Sequence, residues 1–488
     1  MKGLRSASWI LLNLALGLAG GLTLGWGALA ASGWVIVLLG CLGALLGGLL
    51  GGWSAQGGGA RRRYVLWGHG AILLFVVLAA LIPLWRAGML PLPLESRKAN
   101  FERLWRAMDY AYPYFEEKGV DRDALYARYA LQVEQAESDE AYWGVVARML
   151  AELDDGHTGL VSPSVRSGRH YFGTGRVVGD RIVLDRVGQT GQDAGLRRGD
   201  LLLEVDGLPV EEALEALPLP LRSGSTPQQR RATAAFNVLS TREDTLAVTV
   251  FGAGGDERSA TLVWPGEGAV AAPDSSGPLI TAERLDSGVG LIRIPTFGEG
   301  EHDLVAEFDV ALGELLDAPA LILDLRGNSG GSTHLSDPIA GRFLSGPFTY
   351  GREHYRARLP QRGWRPWIDY RVEPRGVTYD GPVVLLIDEG TFSTAENFVV
   401  ALVDSGRVTT VGRQSGGGSG NPISFRLTGG GRARFSTGDF RRNDGRPIEG
   451  QGIVPDVPVT WTVEDFRQGR DPDLDAAEAL LLSAGQVD

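Results

Sequence analysis

Long apolar segments at the start of the chain set the first limit on what it folds into. They are Trp9–Ala30, Trp34–Trp53 and Val65–Trp85. Each is about 20 residues, which as helix at ~1.5 Å per residue crosses a ~30 Å hydrocarbon core. Trp9, Trp34, Trp53, Trp67 and Trp85 fall at or near the ends of these runs, at the depth amphipathic rings prefer. A cleaved signal peptide accounts for the first run only. Lys2 and Arg5 precede the first run, and Arg61, Arg62 and Arg63 lie between the second and third, which places both segments inside. The expectation is a membrane domain over residues 1–88 with three transmembrane helices (about 9–30, 34–53 and 65–85). It implies a multi-pass protein of the cell (inner) membrane, with the lipid bilayer as a partner and everything after Trp85 on the periplasmic or extracellular side.

The remainder of the 488 residues has the mixed charge of a folded globular chain, enough for two or three further units. A net charge of -12 disfavours a nucleic-acid partner, because phosphate binding wants a basic surface. The single cysteine, Cys41, lies in the second apolar run, so the later part has no disulfide and no thiolate metal site. No metal and no cofactor are expected. Lysine is confined to Lys2, Lys98 and Lys118.

Phe101, Leu104, Trp105 and Met108 recur at helical spacing until Pro113 interrupts, and Asp121–Glu134 and Asp139–Leu153 read as two further helices. This helical region covers 95–165, and it stops at Asp154-Asp155-Gly156, directly before His157. Short strands and turns follow over 170–265. There Ala194-Gly195-Leu196, Gly199-Asp200, the strand Leu201–Val205 and the turn Asp206-Gly207 resemble a PDZ-like module, with Gln228–Leu239 as its helix. After the Gly, Ala, Pro and Ser linker Pro265–Pro278, strands and helices alternate over 279–465, which implies an α/β core, and a last amphipathic helix covers 471–485.

Two segments of that core can do chemistry. In Asp388–Asn397 a buried strand turns into a helix, placing the Ser393 hydroxyl where unpaired backbone N–H groups receive developing negative charge. Ser393 and Glu396 equally form a Ser-x-x-Glu capping box that would simply start the helix. In Leu321–Gly331 a buried strand runs into a Gly-rich turn whose Gly330 or Gly331 can aim an N–H at an oxyanion, beside the N–H of Thr394. A phosphate loop is the other functional reading, but no Gly-Lys-Ser/Thr follows. A purely structural turn stays open on spacing alone.

Asp-Leu-Arg-Gly-Asn-Ser-Gly-Gly (324–331), Phe-Ser-Thr-Ala-Glu (392–396) and Glu-Gly-Gln-Gly-Ile-Val-Pro-Asp (449–456) occur in that order. Together they resemble the tail-specific, or C-terminal-processing, serine peptidase family over about Asn100–Val459. The resemblance implies a ββα-spiral (crotonase/ClpP-like) catalytic core joined to a PDZ-like module and a helical region, and a protein or peptide substrate. The best-known branch takes a lysine base from the stretch matching Val411–Gly420, which has no lysine here, and no lysine follows Lys118. Arginine holds its proton too firmly to replace it. A histidine is the natural substitute, from among His157, His170, His302, His334 and His354. Leu153–Thr158 resembles the base-bearing segment of the tricorn-core branch, where serine, histidine and glutamate act together, which implies His157 as base. His334, just past the Gly-rich turn, is the alternative base. The same branch implies Glu449 as the acidic partner, while Asp154, Asp155, Asp324 and Asp456 read as structural. A non-catalytic binding protein for a hydrophobic ligand or peptide is the competing reading, since the interphotoreceptor retinoid-binding branch of the fold sets that precedent.

Overall fold

The computed structural model describes residues 96–162, 170–264, 278–356 and 366–484. The chain divides into two compact units, Met1–Ala107 with Phe425–Gly429, and Met108–Ser424 with Gly430–Asp488. In the first, helix α1 (Arg97–Ala111) begins, and Asn100 Nδ2 and Arg103 Nη1 donate to the carbonyls of Thr428 and Arg426, both at 3.1 Å.

The expectation of three transmembrane helices is corrected here: among the described residues no helix is long and apolar enough to cross a membrane. The longest, α1, has 15 residues, about 22 Å at ~1.5 Å per residue against a ~30 Å hydrocarbon core. The runs at 9–30, 34–53 and 65–85 lie outside the described residues. Hydropathy, the tryptophans at the run ends and the flanking basic residues carried the multi-pass membrane domain, the bilayer partner and the periplasmic or extracellular location, and all three are withdrawn.

In the second unit α1 ends two residues before Pro113, whose ring disfavours helical geometry in the residue ahead of it. Helix α2 (Arg122–Gln135) is capped by Asp121, which accepts the N–H groups of Asp123 and Ala124. Helix α3 (Asp139–Ala151) is capped by Ser138 and buries Val145, Val146, Met149 and Leu150 on one stripe. The chain then turns through Asp154 at φ +47° into strand β1 (Gly159–Val161).

Strands β2 (Gly173–Val178), β3 (Arg181–Val187) and β4 (Leu201–Val205), helix α4 (Pro227–Asn237), and strands β5 (Thr245–Phe251) and β6 (Glu257–Val263) follow. They form an antiparallel sheet in the order β2-β3-β4-β5-β6 around Ile182, Leu184, Leu202, Val248 and Val250. Helix α4 adds Ala234 and Ala235 to this core.

The last part contains β7 (Thr281–Arg284), β8 (Gly290–Arg293), α5 (Leu304–Gly313), β9 (Leu321–Asp324) and α6 (Thr333–Ala340). It continues with β10 (Phe348–Tyr355), β11 (Ile368–Val372), β12 (Val383–Ile387), α7 (Thr394–Asp404) and β13 (Thr409–Gly412). Strands β14 (Arg432–Phe435), β15 (Gly438–Arg442) and β16 (Val457–Pro458) and helix α8 (Pro472–Ala484) complete it. The main sheet has the order β7-β8-β9-β12-β13-β16, antiparallel at β7-β8 and parallel elsewhere. Its strands are apolar on both faces because both are covered. Leu323, Leu385 and Ile387 pack with Phe308 and Phe398 of α5 and α7, while Ile322, Val384 and Leu386 pack with Ala477 and Leu481 of α8. β9 and β12 run side by side in register, so the turns that leave their carboxyl ends meet. In parallel sheets that edge is where ligands bind.

Candidate active site

The two turns are laced together. Asp388 Oδ1 accepts the N–H of Gly327 at 2.8 Å and of Gly390 at 3.0 Å, Thr391 Oγ1 donates to Leu325 O at 2.9 Å, and Phe392 N–H donates to Asn328 O at 2.9 Å. Ser393 follows at the N-cap of α7 with φ +59° and ψ -124°, a conformation that costs a non-glycine residue about 1–3 kcal/mol. Glu396 accepts the Ser393 N–H at 3.0 Å, the reciprocal contact of a capping box. Ser393 makes no side-chain cap hydrogen bond, and its Oγ lies 2.9 Å from His157 Nε2.

Gly330 (φ +91°) and Gly331 (φ +149°) leave no room for a side chain. A Cβ on Gly330 would stand 2.6 Å from Phe392 O and 2.8 Å from Ser393 Cβ, and one on Gly331 1.9 Å from Phe297 O. The Gly330 N–H already donates to Asn328 Oδ1 at 2.9 Å. The N–H groups of Gly331 and Thr394 make no hydrogen bond among the described residues, and the Thr394 hydroxyl ties the two by donating to Gly331 O at 2.9 Å.

His157 is buried, and its ring lies 4.6 Å from that of Phe392. Burial is the main cause of an imidazole pKa lowered to about 4, with Asp155 raising it and Arg434 lowering it further. The ring is therefore neutral near pH 7 and free to accept a proton at Nε2. Its Nδ1 is buried and makes no hydrogen bond of ordinary geometry among the described residues, although the Ser419 backbone acts on the ring. A ring nitrogen of His157 and carboxylate oxygens of Asp155 and Glu449 lie within 4.8 Å of one another. Asp155 is tied down by the His157 N–H (2.8 Å) and the Thr158 hydroxyl (2.7 Å). Glu449 Oε2 accepts the Ser419 N–H at 3.0 Å, and its Oε1 takes the Lys118 ammonium at 2.8 Å. Burial and Asp155 push the Glu449 carboxyl up to about 8, against the pull of Lys118. These three residues have the donors to hold a cation, but Lys118 already supplies the positive charge.

Ser393, His157 and Glu449 are thus brought together, with Gly331 and Thr394 beside them. His334 is exposed on α6, lines the larger cavity described below and makes no hydrogen bond to Ser393. His302 pairs with Glu307 at 2.6 Å, His354 with Asp439 at 2.9 Å, and His170 with Asp244 at 3.3 Å. Three residues escape the sequence reading. Asp155, taken as a turn former, lies against the base. Lys118 grips the acid rather than the serine. Glu396 is more than a cap: its Oε1 accepts Ser415 Oγ (2.5 Å) and the Gly417 N–H (2.9 Å), and its Oε2 the Gly418 N–H (2.8 Å). Burial raises its pKa to about 7. The Gly-rich stretch from Gly412 has a steric cause, since a Cβ on Gly418 would come 1.8 Å from the Phe392 ring.

Two cavities flank the pair. One, of about 570 Å³, runs between β2, α4 and the nucleophile turn and is lined by Gly156, His157, Arg176, Phe236 and Phe392. The other, of about 980 Å³, holds Ser393, Thr394, Gly331 and Ser419, with Glu353 and Asp337 on its wall.

Residues 288–459 match peptidase family S41, and residues 93–151 match the tricorn protease C1 domain. The segment that carries Ser393 is thus similar to peptidase family S41. The S41 match runs from just ahead of β8 to beyond Glu449, and so includes Ser393 but not His157. Putative tricorn protease homolog 2 of Streptomyces coelicolor is 27% identical over 391 residues, covering 75% of this chain. Carboxyl-terminal-processing peptidase 3, chloroplastic, of Arabidopsis thaliana is 25% identical over 350 residues, covering 67% of this chain. This chain spans 30% of the first relative's length and 62% of the second's. Mature CPAF complexed with lactacystin shares the fold at TM-score 0.68 and 18% identity, over 80% of this chain and 99% of that one.

Proposed function

We propose that this protein is a serine peptidase of the S41 type that hydrolyses peptide bonds of protein or peptide substrates, with Ser393 as nucleophile and His157 as general base. The observation that carries the reading is the 2.9 Å contact between Ser393 Oγ and His157 Nε2 at a strained helix N-terminus. Ser393 Oγ attacks the carbonyl carbon while His157 Nε2 takes its proton. The oxyanion falls to the N–H groups of Gly331 and Thr394, reinforced by the positive end of α7. Gly330 serves the turn instead, because its N–H is committed to Asn328. The imidazolium needs a nearby anion, and Asp155 together with the ionised form of Glu449, which Lys118 favours, supplies it. His157 then passes the proton to the leaving amine, and water repeats the sequence on the acyl-enzyme.

A non-catalytic ligand binder on the same fold has no need of a hydroxyl held against a neutral imidazole. The relatives named carboxyl-terminal-processing enzymes support a polypeptide substrate. A fluorophosphonate should label the wild type and not Ser393→Ala, with peptide hydrolysis in that variant falling at least ~10³-fold. Equal labelling of both proteins assigns the reactive hydroxyl elsewhere.

A further inference from the structure

A short bracket of chain, Trp461–Arg467, joins the antiparallel sheet β2–β6 to the part that carries Ser393. Phe466 is buried with Val178 of β2 and Val183 of β3, and Trp461 packs against that cluster. Arg467 Nε donates to Gly199 O at 2.9 Å and its Nη2 to Phe251 O at 3.0 Å. The Trp461 ring has a cation over it from each of the two parts. Arg176 of β2 lies with Cζ 5.5 Å from the ring centroid, and Arg413, which follows β13, with Cζ 5.7 Å from it. Arg176 also lines the smaller cavity, together with His157, Phe392, Asp388 and Glu389. Arg413 reaches the nucleophile turn, its Nε 3.0 Å from Glu389 Oε2 and its Nη2 3.6 Å from Asp388 Oδ2. Asp388 is the carboxylate that takes the Gly327 and Gly390 N–H groups and so ties the two turns together. Arg413 and Arg176 both favour its charged form.

Packing alone does not ask for tryptophan at this place. The indole Nε1 is buried without a hydrogen bond among the described residues, a cost that a phenylalanine ring avoids. What the indole offers instead is the strongest ring face for a cation. We infer, on the peptidase reading above, that Trp461 is a positioning residue for the reaction at Ser393: its ring seats Arg176 and Arg413 together, so that the docking of the β2–β6 sheet fixes the nucleophile turn. The oxyanion donors assigned to Gly331 and Thr394 belong to the two turns that Asp388 joins. Turns that drift apart weaken the grip on the oxyanion more than the grip on the substrate, so the loss falls on kcat rather than on KM.

The experiment uses the full-length protein with tryptophan at 461 replaced, at that site only, by its mono-, di-, tri- and tetrafluoro analogues. Fluorine drains the negative face of the ring with little change of shape. Along the series kcat for a peptide substrate should fall stepwise, to about a tenth at four fluorines, with KM held within about two-fold. Trp461→Leu should lose about ten-fold or more in kcat. Arg176→Gln should lower kcat about three-fold in the wild type and add nothing in Trp461→Leu, because the two act through one contact. Should Trp461→Leu fail to fold, the same cycle is run in the tetrafluoro protein. A kcat that stays flat along the series while thermal unfolding shifts, or an Arg176→Gln effect of the same size in both backgrounds, reduces Trp461 to packing and overturns the inference. The rate at which a fluorophosphonate labels Ser393 separates the two claims. Labelling that slows along the series, with no peptide hydrolysed by the wild type, defeats the peptidase reading and leaves the positioning; hydrolysis and labelling both untouched along the series do the reverse.

Discussion

At the scale of single residues, the proposed base and its acid lie on opposite sides of neutrality, and that makes the proposed mechanism visible in a pH profile. Glu449 is pushed up to about 8 and must be ionised to hold an imidazolium, so kcat/KM should rise as pH passes through about 8. Lys118 is the group that pulls this value down. Lys118→Met should therefore move the rising limb to higher pH, with activity near pH 7 falling and recovering in alkali, and Lys118→Arg should keep the limb near its original place. Glu449→Gln should abolish that limb and expose the one set by His157, whose pKa lies at about 4. A Lys118→Met profile superimposable on wild type after scaling would remove Lys118 from the mechanism. Ser393 and Glu449 were legible as candidates because each sits in one of three ordered motifs, and His157 because the family's lysine is missing and Leu153–Thr158 resembles a base-bearing segment. Lys118 and Asp155 were not. Lys118 meets Glu449 from 331 positions away, and no local pattern records that. Asp155 looks like any Asp before Gly until the fold sets it against His157.

Secondary-structure elements were legible where burial is periodic or continuous. The uniformly apolar run Val383–Ile387 is a strand over its whole length, and the stripe ending at Leu150 is a helix. The alternation read from the sequence passes over β10, β11 and β15, whose buried and exposed positions alternate imperfectly, and over β14, which alternates for four residues only; their pairing comes from distant strands, β10 with β15 and β14 with β1. Yet β14 is the strand that brings Arg434 to the site. The Gly412–Gly420 loop was read only for the lysine it lacks. Its glycines are a packing requirement: the Gly418 N–H holds Glu396 while the missing side chain makes room for Phe392, which lies against His157. Gly418→Ala should cost about 1–3 kcal/mol of stability through overpacking and lower kcat/KM more than ten-fold by displacing the ring. Gly313→Ala at the end of α5, where an added methyl meets nothing within 4 Å, should leave hydrolysis unchanged and stabilise by about 0.5 kcal/mol. Thermal unfolding and peptide hydrolysis of the two variants check both statements. A Gly418→Ala protein as active as wild type breaks the link between this loop and the base.

On the scale of the whole molecule, the acidic start of α8 ties that helix to the two turns of the candidate site. The helix itself was legible as an amphipathic segment, but the reason its first residues are acidic was not. Asp473 is fully buried and receives Arg413 Nη1 at 2.8 Å and Arg326 Nη1 at 3.1 Å. Arg326 leads into the Gly-rich turn and also grips Asp324 and Asp471, while Arg413 follows β13 and reaches Glu389 in the nucleophile turn at 3.0 Å. One carboxylate on α8 therefore braces both turns whose N–H groups are assigned to the oxyanion. Removing it takes one carboxylate from each of two guanidinium groups with little access to water, and deleting one partner of a buried pair typically costs about 3 kcal/mol where no other partner remains, so the loss here should be below that. Asp473→Ala should unfold at a clearly lower urea concentration than wild type. It should also lower kcat more than it raises KM, because the displaced donors matter most when the oxyanion forms. Asp473→Asn, which keeps an acceptor for each arginine but no charge, should fall between the two. If α8 only covers an apolar face, Asp473→Ala will differ from wild type by less than ~0.5 kcal/mol, and substitution at Leu481, which lies on that face of the sheet, will do the greater damage.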